Sequence, residues 1–174
     1  MFDIIKENNS QKTIAFAVFL VLTVLWMGVI FGFSANNAED STIQSNAVTE
    51  FVIRIFNSDF DLLPETEQES LIEQYDGIIR KIAHFASYAI LAYLMYHALV
   101  LASFFHYINI HVPAAISVVL CAVFAATDEY HQTFVDGRAG RFTDVLIDTS
   151  GALCGVLLAI VVLSTVTAIV NKRK

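Results

Sequence analysis

The chain has 174 residues, 56% of them hydrophobic and 16% charged, with a net charge of −7. Its mean hydropathy is +0.63, and its apolar fraction exceeds the roughly 45–50% of an average soluble domain, a figure that counts Gly as well. The apolar residues come in long unbroken runs, which points to a membrane protein. The acidic balance argues against a nucleic-acid partner, whose contact surface would be basic.

A bilayer core about 30 Å thick needs roughly 20 residues of apolar helix. The first such run covers 13–33, with Trp26 inside it. Lys6 and Lys12 precede it, as in a secretory leader. The run outlasts a leader's apolar region and ends without a small-residue cleavage site, so it is expected to stay as the first transmembrane helix.

The link over 35–77 is too long for a bare loop. Ile43, Ala47, Val48, Phe51, Val52, Ile55 and Phe56 recur at helical spacing. They predict an amphipathic helix, capped by Ser41, lying on the membrane surface or on the bundle. A covering helix without a function of its own is its simplest role. A second helical pattern opens near Pro64, with Glu65, Glu67 and Glu69 in its first turns, where carboxylates suit the helix dipole.

The remaining spans are expected over 78–105, 112–131 and 144–170. The short link from His106 to His111 makes the second and third an antiparallel hairpin. Pro113 falls in a first helical turn, where its missing N–H costs nothing. Asp136-Gly137 and Ala139-Gly140 mark turns before the fourth span. The expected fold is an all-α integral membrane protein forming a single domain. It has four transmembrane helices in an antiparallel bundle, with one or two amphipathic surface helices between the first and second. Cys121 and Cys154 lie in apolar runs and read as buried packing residues.

With a cytoplasmic N-terminus, Lys6, Lys12, Lys172, Arg173 and Lys174 lie inside, and Arg54, Arg80, Lys81, Arg138 and Arg141 lie outside. The two sets are equal in number, so the positive-inside rule does not decide the orientation. If the second set is held in a site, the first set alone signals topology, and both termini are expected to be cytoplasmic.

In a four-helix protein the end of the first span, the start of the second, the end of the third and the start of the fourth share one membrane face. The unusual polar residues gather there. The first span closes with Ser34, followed by Asn36 and Asn37; the second carries Arg80, Lys81, His84 and Tyr88; the third ends with Asp128, Glu129, His131 and Gln132. The turn adds Arg138 and Arg141, and the fourth span opens with Asp144 and Asp148. Helical spacing sets Lys81, His84 and Tyr88 on one face, and Asp128, His131 and Gln132 on another. It also aligns Arg141, Asp144 and Asp148 with Gly151 and Gly155, whose small-xxx-small stripe admits a close neighbour. His97, His106 and His111 fall toward the opposite face and read as packing or interfacial residues.

An unpaired charge at the bilayer centre costs about 2.5–3.5 kcal/mol on insertion scales, and less near the edge. Arg80, Lys81, Arg138 and Arg141 are therefore expected to pair with Asp128, Glu129, Asp144 and Asp148. Two readings stay open. One is a closed ion-pair network that fixes the helices. The other is an open pocket at the membrane surface, since intramembrane ionisable groups default to function. In the pocket, Asp128, Glu129, His84 and Asp144 are the acid–base candidates. Arg80, Lys81, Tyr88, His131, Gln132, Arg138, Arg141 and Asp148 are the ligand-binding candidates, and the arginines suit bidentate contact with phosphate or carboxylate. A divalent cation on Asp128, Glu129, His131, Asp144 and His84 is a further candidate, although no known metal-motif spacing is present.

Arg80-Lys81-x-x-His84-Phe85-x-x-Tyr88, Asp128-Glu129-x-His131-Gln132-x-Phe134, Arg138-x-x-Arg141 and Asp144-x-x-x-Asp148-x-x-Gly151 together resemble the VanZ-like family. Trp26 and Phe33-Ser34, with Ser41 beyond, look like that family's first segment. The resemblance covers nearly the whole chain. It implies a multi-pass protein of the bacterial cytoplasmic membrane, in a family whose founding member is associated with resistance to the glycopeptide teicoplanin; it implies no settled reaction. The expectation is a polar pocket at the outer face that binds or modifies an anionic lipid-linked cell-envelope molecule. Arg138, Arg141 and Arg80 or Lys81 would take the anion, and Asp128, Glu129, Asp144 or His84 would act as base or metal ligand. Expected partners are membrane lipid and a lipid-linked cell-wall precursor or lipoglycopeptide. The alternatives are a non-catalytic structural or accessory subunit, a factor that alters antibiotic access, and an oligomeric or transport subunit. Helices three and four offer little polar path from Val112 to Ala126 or from Gly155 to Val170, which counts against transport. A homo-oligomer stays open.

Overall fold

Apolar runs with no water to satisfy their backbone close their hydrogen bonds internally, as helices. A computed structural model of the chain describes residues 9–102 and 109–172 and, within them, contains helices and no strand. The elements are α1 (Asn9–Ser34), α2 (Ala38–Phe56), a 3-10 turn (Phe60–Leu62), α3 (Glu65–Leu101), α4 (His111–Gln132) and α5 (Phe142–Lys172). Four of the helices, α1, α3, α4 and α5, are long and apolar enough to cross a membrane. The all-α, four-span expectation holds. Lys6, Phe105, His106, Arg173 and Lys174 lie outside the described residues.

Three local readings change. The helical pattern after Pro64 is not a separate surface helix: it runs without a break into the second span, as one helix of 37 residues. At 1.5 Å per residue this helix is about 55 Å long, so its acidic N-terminal part projects beyond a 30 Å bilayer core. The cap of α2 is Asn37 and not Ser41, because Asn37 Oδ1 accepts the Asp40 backbone N–H at 2.8 Å. Cys121 is buried as expected, but Cys154 is exposed on the outside of the bundle, where an apolar side chain faces lipid at no cost.

α3 is the central element and packs against α1, α2, α4 and α5. Trp26 Nε1 donates to the Ser87 carbonyl at 2.9 Å, and Phe19 stacks on His97 with ring centroids 5.0 Å apart. These contacts run in opposite directions along the two helices, so α1 and α3 are antiparallel. Against α5, Phe85 meets Gly151 and Ala89 meets Gly155. A Cβ on either glycine would run into the facing carbonyl oxygen, so the small-residue stripe brings two parallel backbones together. Tyr88, Leu91, Ala92, Tyr96, Cys121 and Ala152 fill the core beside this contact.

α2 lies on the N-terminal part of α3 with Thr49 and Ile53 buried. Most of its expected apolar stripe faces away from the protein: Ile43, Phe51, Ile55 and Phe56 are all exposed. The helix that binds α3 therefore does so with a largely polar face.

Candidate functional site

The turn from α4 to α5 shapes one end of the bundle. Gly137 takes a φ of +73°, the left-handed region open to glycine. Ala38 N–H donates to the Asp136 carbonyl at 3.2 Å, tying this turn to the start of α2. Glu129 Oε2 accepts the Arg141 backbone N–H at 2.8 Å and fixes the far side of the turn. Gly140 sits against the Glu129 carbonyl, where a Cβ has no room.

Between this turn, the end of α1, α2 and α3 lies a cavity of about 620 Å³. One wall is apolar and comes from α1: Trp26, Val29, Ile30 and Phe33. The opposite wall is polar. It receives Arg80, Lys81, His84 and Tyr88 from α3, Asp128 and Gln132 from α4, and Arg138, Arg141 and Asp144 from the turn and the start of α5. The four helix ends that were expected to share a face do so here. α2 closes a side with Ser41, Thr42, Gln44, Ser45 and Val48.

Three candidates fall behind the wall. Asp148 is 1% exposed, and its Oδ1 lies 3.4 Å from His84 Nδ1. Glu129 is buried and clamps the turn as described. His131 faces α1, its ring centroid 4.7 Å from that of Phe31. Among the described residues no three His, Cys, Asp or Glu side chains are placed to hold a metal ion, so the cation candidate gains no geometric support.

The expected pairing of cations with carboxylates does not form. Arg80 turns back to Asp76 at 2.7 Å, one turn earlier on α3. Asp76 also accepts the hydroxyls of Ser45 and, at 3.3 Å, Thr49 from α2, and Arg80 Nε donates to Ser45 Oγ at 3.3 Å. Among the described residues, Lys81, Arg138 and Arg141 have no carboxylate within the 4.0 Å of an ion pair. Arg138 makes one long contact, 3.5 Å from Nη2 to the Phe33 carbonyl. Burial, and then the nearby Arg80, push the Arg138 guanidinium below its ordinary pKa. An anion beside it would reverse that penalty.

Sequence reasoning missed Asp76, Ser45 and Thr49. The signal for the first was present: Asp76 and Arg80 stand four apart, the spacing at which helical side chains meet.

On the carboxylate side, Asp128 is 2% exposed. Its Oδ2 receives only a 3.5 Å contact from Gln132 Nε2, which donates to Ser34 Oγ at 3.1 Å. Asp128 Oδ1 and Tyr88 Oη are buried without a hydrogen-bond partner among the described residues. Among the described residues the site thus offers cations free of carboxylate partners, an imidazole whose Nδ1 lies 3.4 Å from a buried carboxylate, and an unpartnered acceptor, beside an apolar wall. Such a wall accepts an alkyl chain, and such cations accept a phosphate.

The sequence matches the family model VanZ/LLP1 over residues 19–163, most of the chain. Neither a curated protein nor a solved structure matches it.

Proposed function

The chain belongs to the VanZ/LLP1 family and is a multi-pass membrane protein, and from that premise we propose that its cavity takes the phosphate-bearing headgroup of an anionic lipid-linked cell-envelope molecule. The observation that carries this reading is the set of rim cations Lys81, Arg138 and Arg141, free of carboxylate partners among the described residues and facing an apolar wall on α1. A closed ion-pair network would require these cations to be paired and the space between the helices to be filled, so the geometry favours the open pocket.

In this reading the protein sits in the bacterial cytoplasmic membrane with both termini inside and the cavity at the outer face. The headgroup phosphate rests on Arg138 and Arg141, with Lys81 beside them. The chain lies along Trp26, Val29 and Phe33. His84, whose Nδ1 faces Asp148, offers its second nitrogen for proton transfer to or from the bound headgroup. Occupancy of the headgroup is the link to glycopeptide resistance, because a bound precursor is withheld from the antibiotic.

The test is teicoplanin susceptibility of a sensitive bacterium expressing wild type or the Arg138→Gln/Arg141→Gln double variant, with membrane levels followed by immunoblot. The proposal expects protection by wild type and its loss in a variant present at equal level. Equal protection by the double variant, or no protection by wild type, contradicts the resistance reading.

A further inference from the structure

The chemistry of the cavity is not uniformly cationic. Among the described residues, Lys81, Arg138 and Arg141 supply positive charge without a carboxylate partner, while Asp128 supplies a buried carboxylate whose Oδ1 has no donor. A carboxylate only accepts hydrogen bonds, and burying one without donors is costly. Among the described residues, the Ser34 hydroxyl and the Gln132 amide are the donors beside this carboxylate, and neither satisfies Oδ1. Gln132 spends its amide on Ser34 and reaches Asp128 only at Oδ2. His84 lies against Asp148. The rim cations make no ion pair with Asp128 among the described residues.

We propose that Asp128 is a specificity-determining residue that reads a primary ammonium on the ligand, so that the cavity selects amphiphiles whose headgroup joins a phosphate to an ammonium, as phosphoethanolamine does. This rests on the reading of the rim as a phosphate site and adds the second half of the headgroup. A hydroxyl would give Asp128 a donor but leave its charge uncompensated. Glu129, the next residue, and Asp148, from α5, are also buried close by, with His84 the neighbouring imidazole, so a ligand that brings positive charge offsets more. A bare metal ion is the poorer fit, because no three suitable ligands converge among the described residues. An ammonium brings the charge and three donors. Tyr88 Oη, also unpartnered and lining the cavity, can accept from the ammonium or donate to the phosphate.

The experiment uses the full chain, delipidated in detergent and followed by native mass spectrometry. Dioleoyl phosphatidylethanolamine, phosphatidylcholine, phosphatidylglycerol and diacylglycerol are titrated separately. The ethanolamine lipid is expected to bind at least about tenfold more tightly than the choline lipid, the scale of one charge-assisted hydrogen bond. Trimethylation keeps the charge and removes every N–H. Asp128→Asn should abolish that preference. The headgroup series on wild type alone decides the matter if the variant does not fold. Competition by soluble glycerophosphoethanolamine would assign recognition to the headgroup; its failure beside tight binding of the ethanolamine lipid would assign it to the whole lipid, and either supports the proposal. Equal binding of the ethanolamine and choline lipids, or a preference that survives Asp128→Asn, overturns the ammonium site and leaves the phosphate reading standing. No binding of any phospholipid above diacylglycerol overturns both.

Discussion

The Arg80 guanidinium reaches the Asp76 carboxylate at 2.7 Å, one turn away on the same helix. Because Asp76 also receives Ser45 and Thr49, this carboxylate is where α2 is fastened to α3. Removing it with Asp76→Ala is expected to cost about 1–2 kcal/mol once the half-exposed guanidinium is discounted for screening. The visible result is loosening of α2: tryptic cleavage after Arg54 should accelerate severalfold, with Asp76→Asn intermediate. Unchanged cleavage would mean that α2 is held by other contacts.

The contact between α3 and α5 gives a sharper contrast. Gly151→Ala and Gly155→Ala each drive a methyl group into a backbone carbonyl of α3. Overpacking of this kind costs about 1–3 kcal/mol. Gly28 and Gly32, in α1, have nothing within 4 Å of an added Cβ, so alanine there should be neutral or slightly stabilising. Thermal melting in detergent, followed by circular dichroism, should separate the two pairs.

The outward face of α2 carries Ile43, Phe51 and Ile55, exposed to between 60% and 64%. A helix with this face free is built to lie in a membrane interface. A nitroxide placed at position 51 should relax with oxygen and stay shielded from a water-soluble nickel chelate. A nitroxide at position 39 should do the reverse. Equal accessibility to the chelate at both positions would place α2 in water.

The spans α1, α4 and α5 were legible in the sequence because in a bilayer a long apolar run has one way to satisfy its backbone. The join inside α3 was not. Hydropathy changes near Gly77, but Glu, Gln, Leu and Ile on either side are good helix formers, and the backbone continues through the change. A membrane boundary is not a helix boundary. The cap of α2 was ambiguous for a related reason, since Asn37 and Ser41 are both competent and only geometry chooses. The grouping of Arg80, His84, Asp128, Arg138 and Asp144 followed from helix order alone. Their pairing did not follow: equal numbers of opposite charges say nothing about which side chains meet, and Asp76 lay in a segment read as a link. The exposed face of α2 shows the same limit, because periodicity locates an apolar stripe without saying whether protein or lipid covers it.

Trp26 is the chain's single tryptophan and lines the cavity. Its emission therefore reports occupancy, and Trp26→Phe, which gives up the hydrogen bond to Ser87, should cost only about 1 kcal/mol. The most direct test of the central claim is a Trp26 fluorescence titration of the delipidated protein with dioleoyl phosphatidic acid and with dioleoylglycerol. The account predicts a saturable change with the phosphate lipid, weak response to the neutral one, and loss of the difference in Arg138→Gln/Arg141→Gln. Identical responses to both lipids, or a difference that survives the double variant, would contradict a phosphate site at the rim.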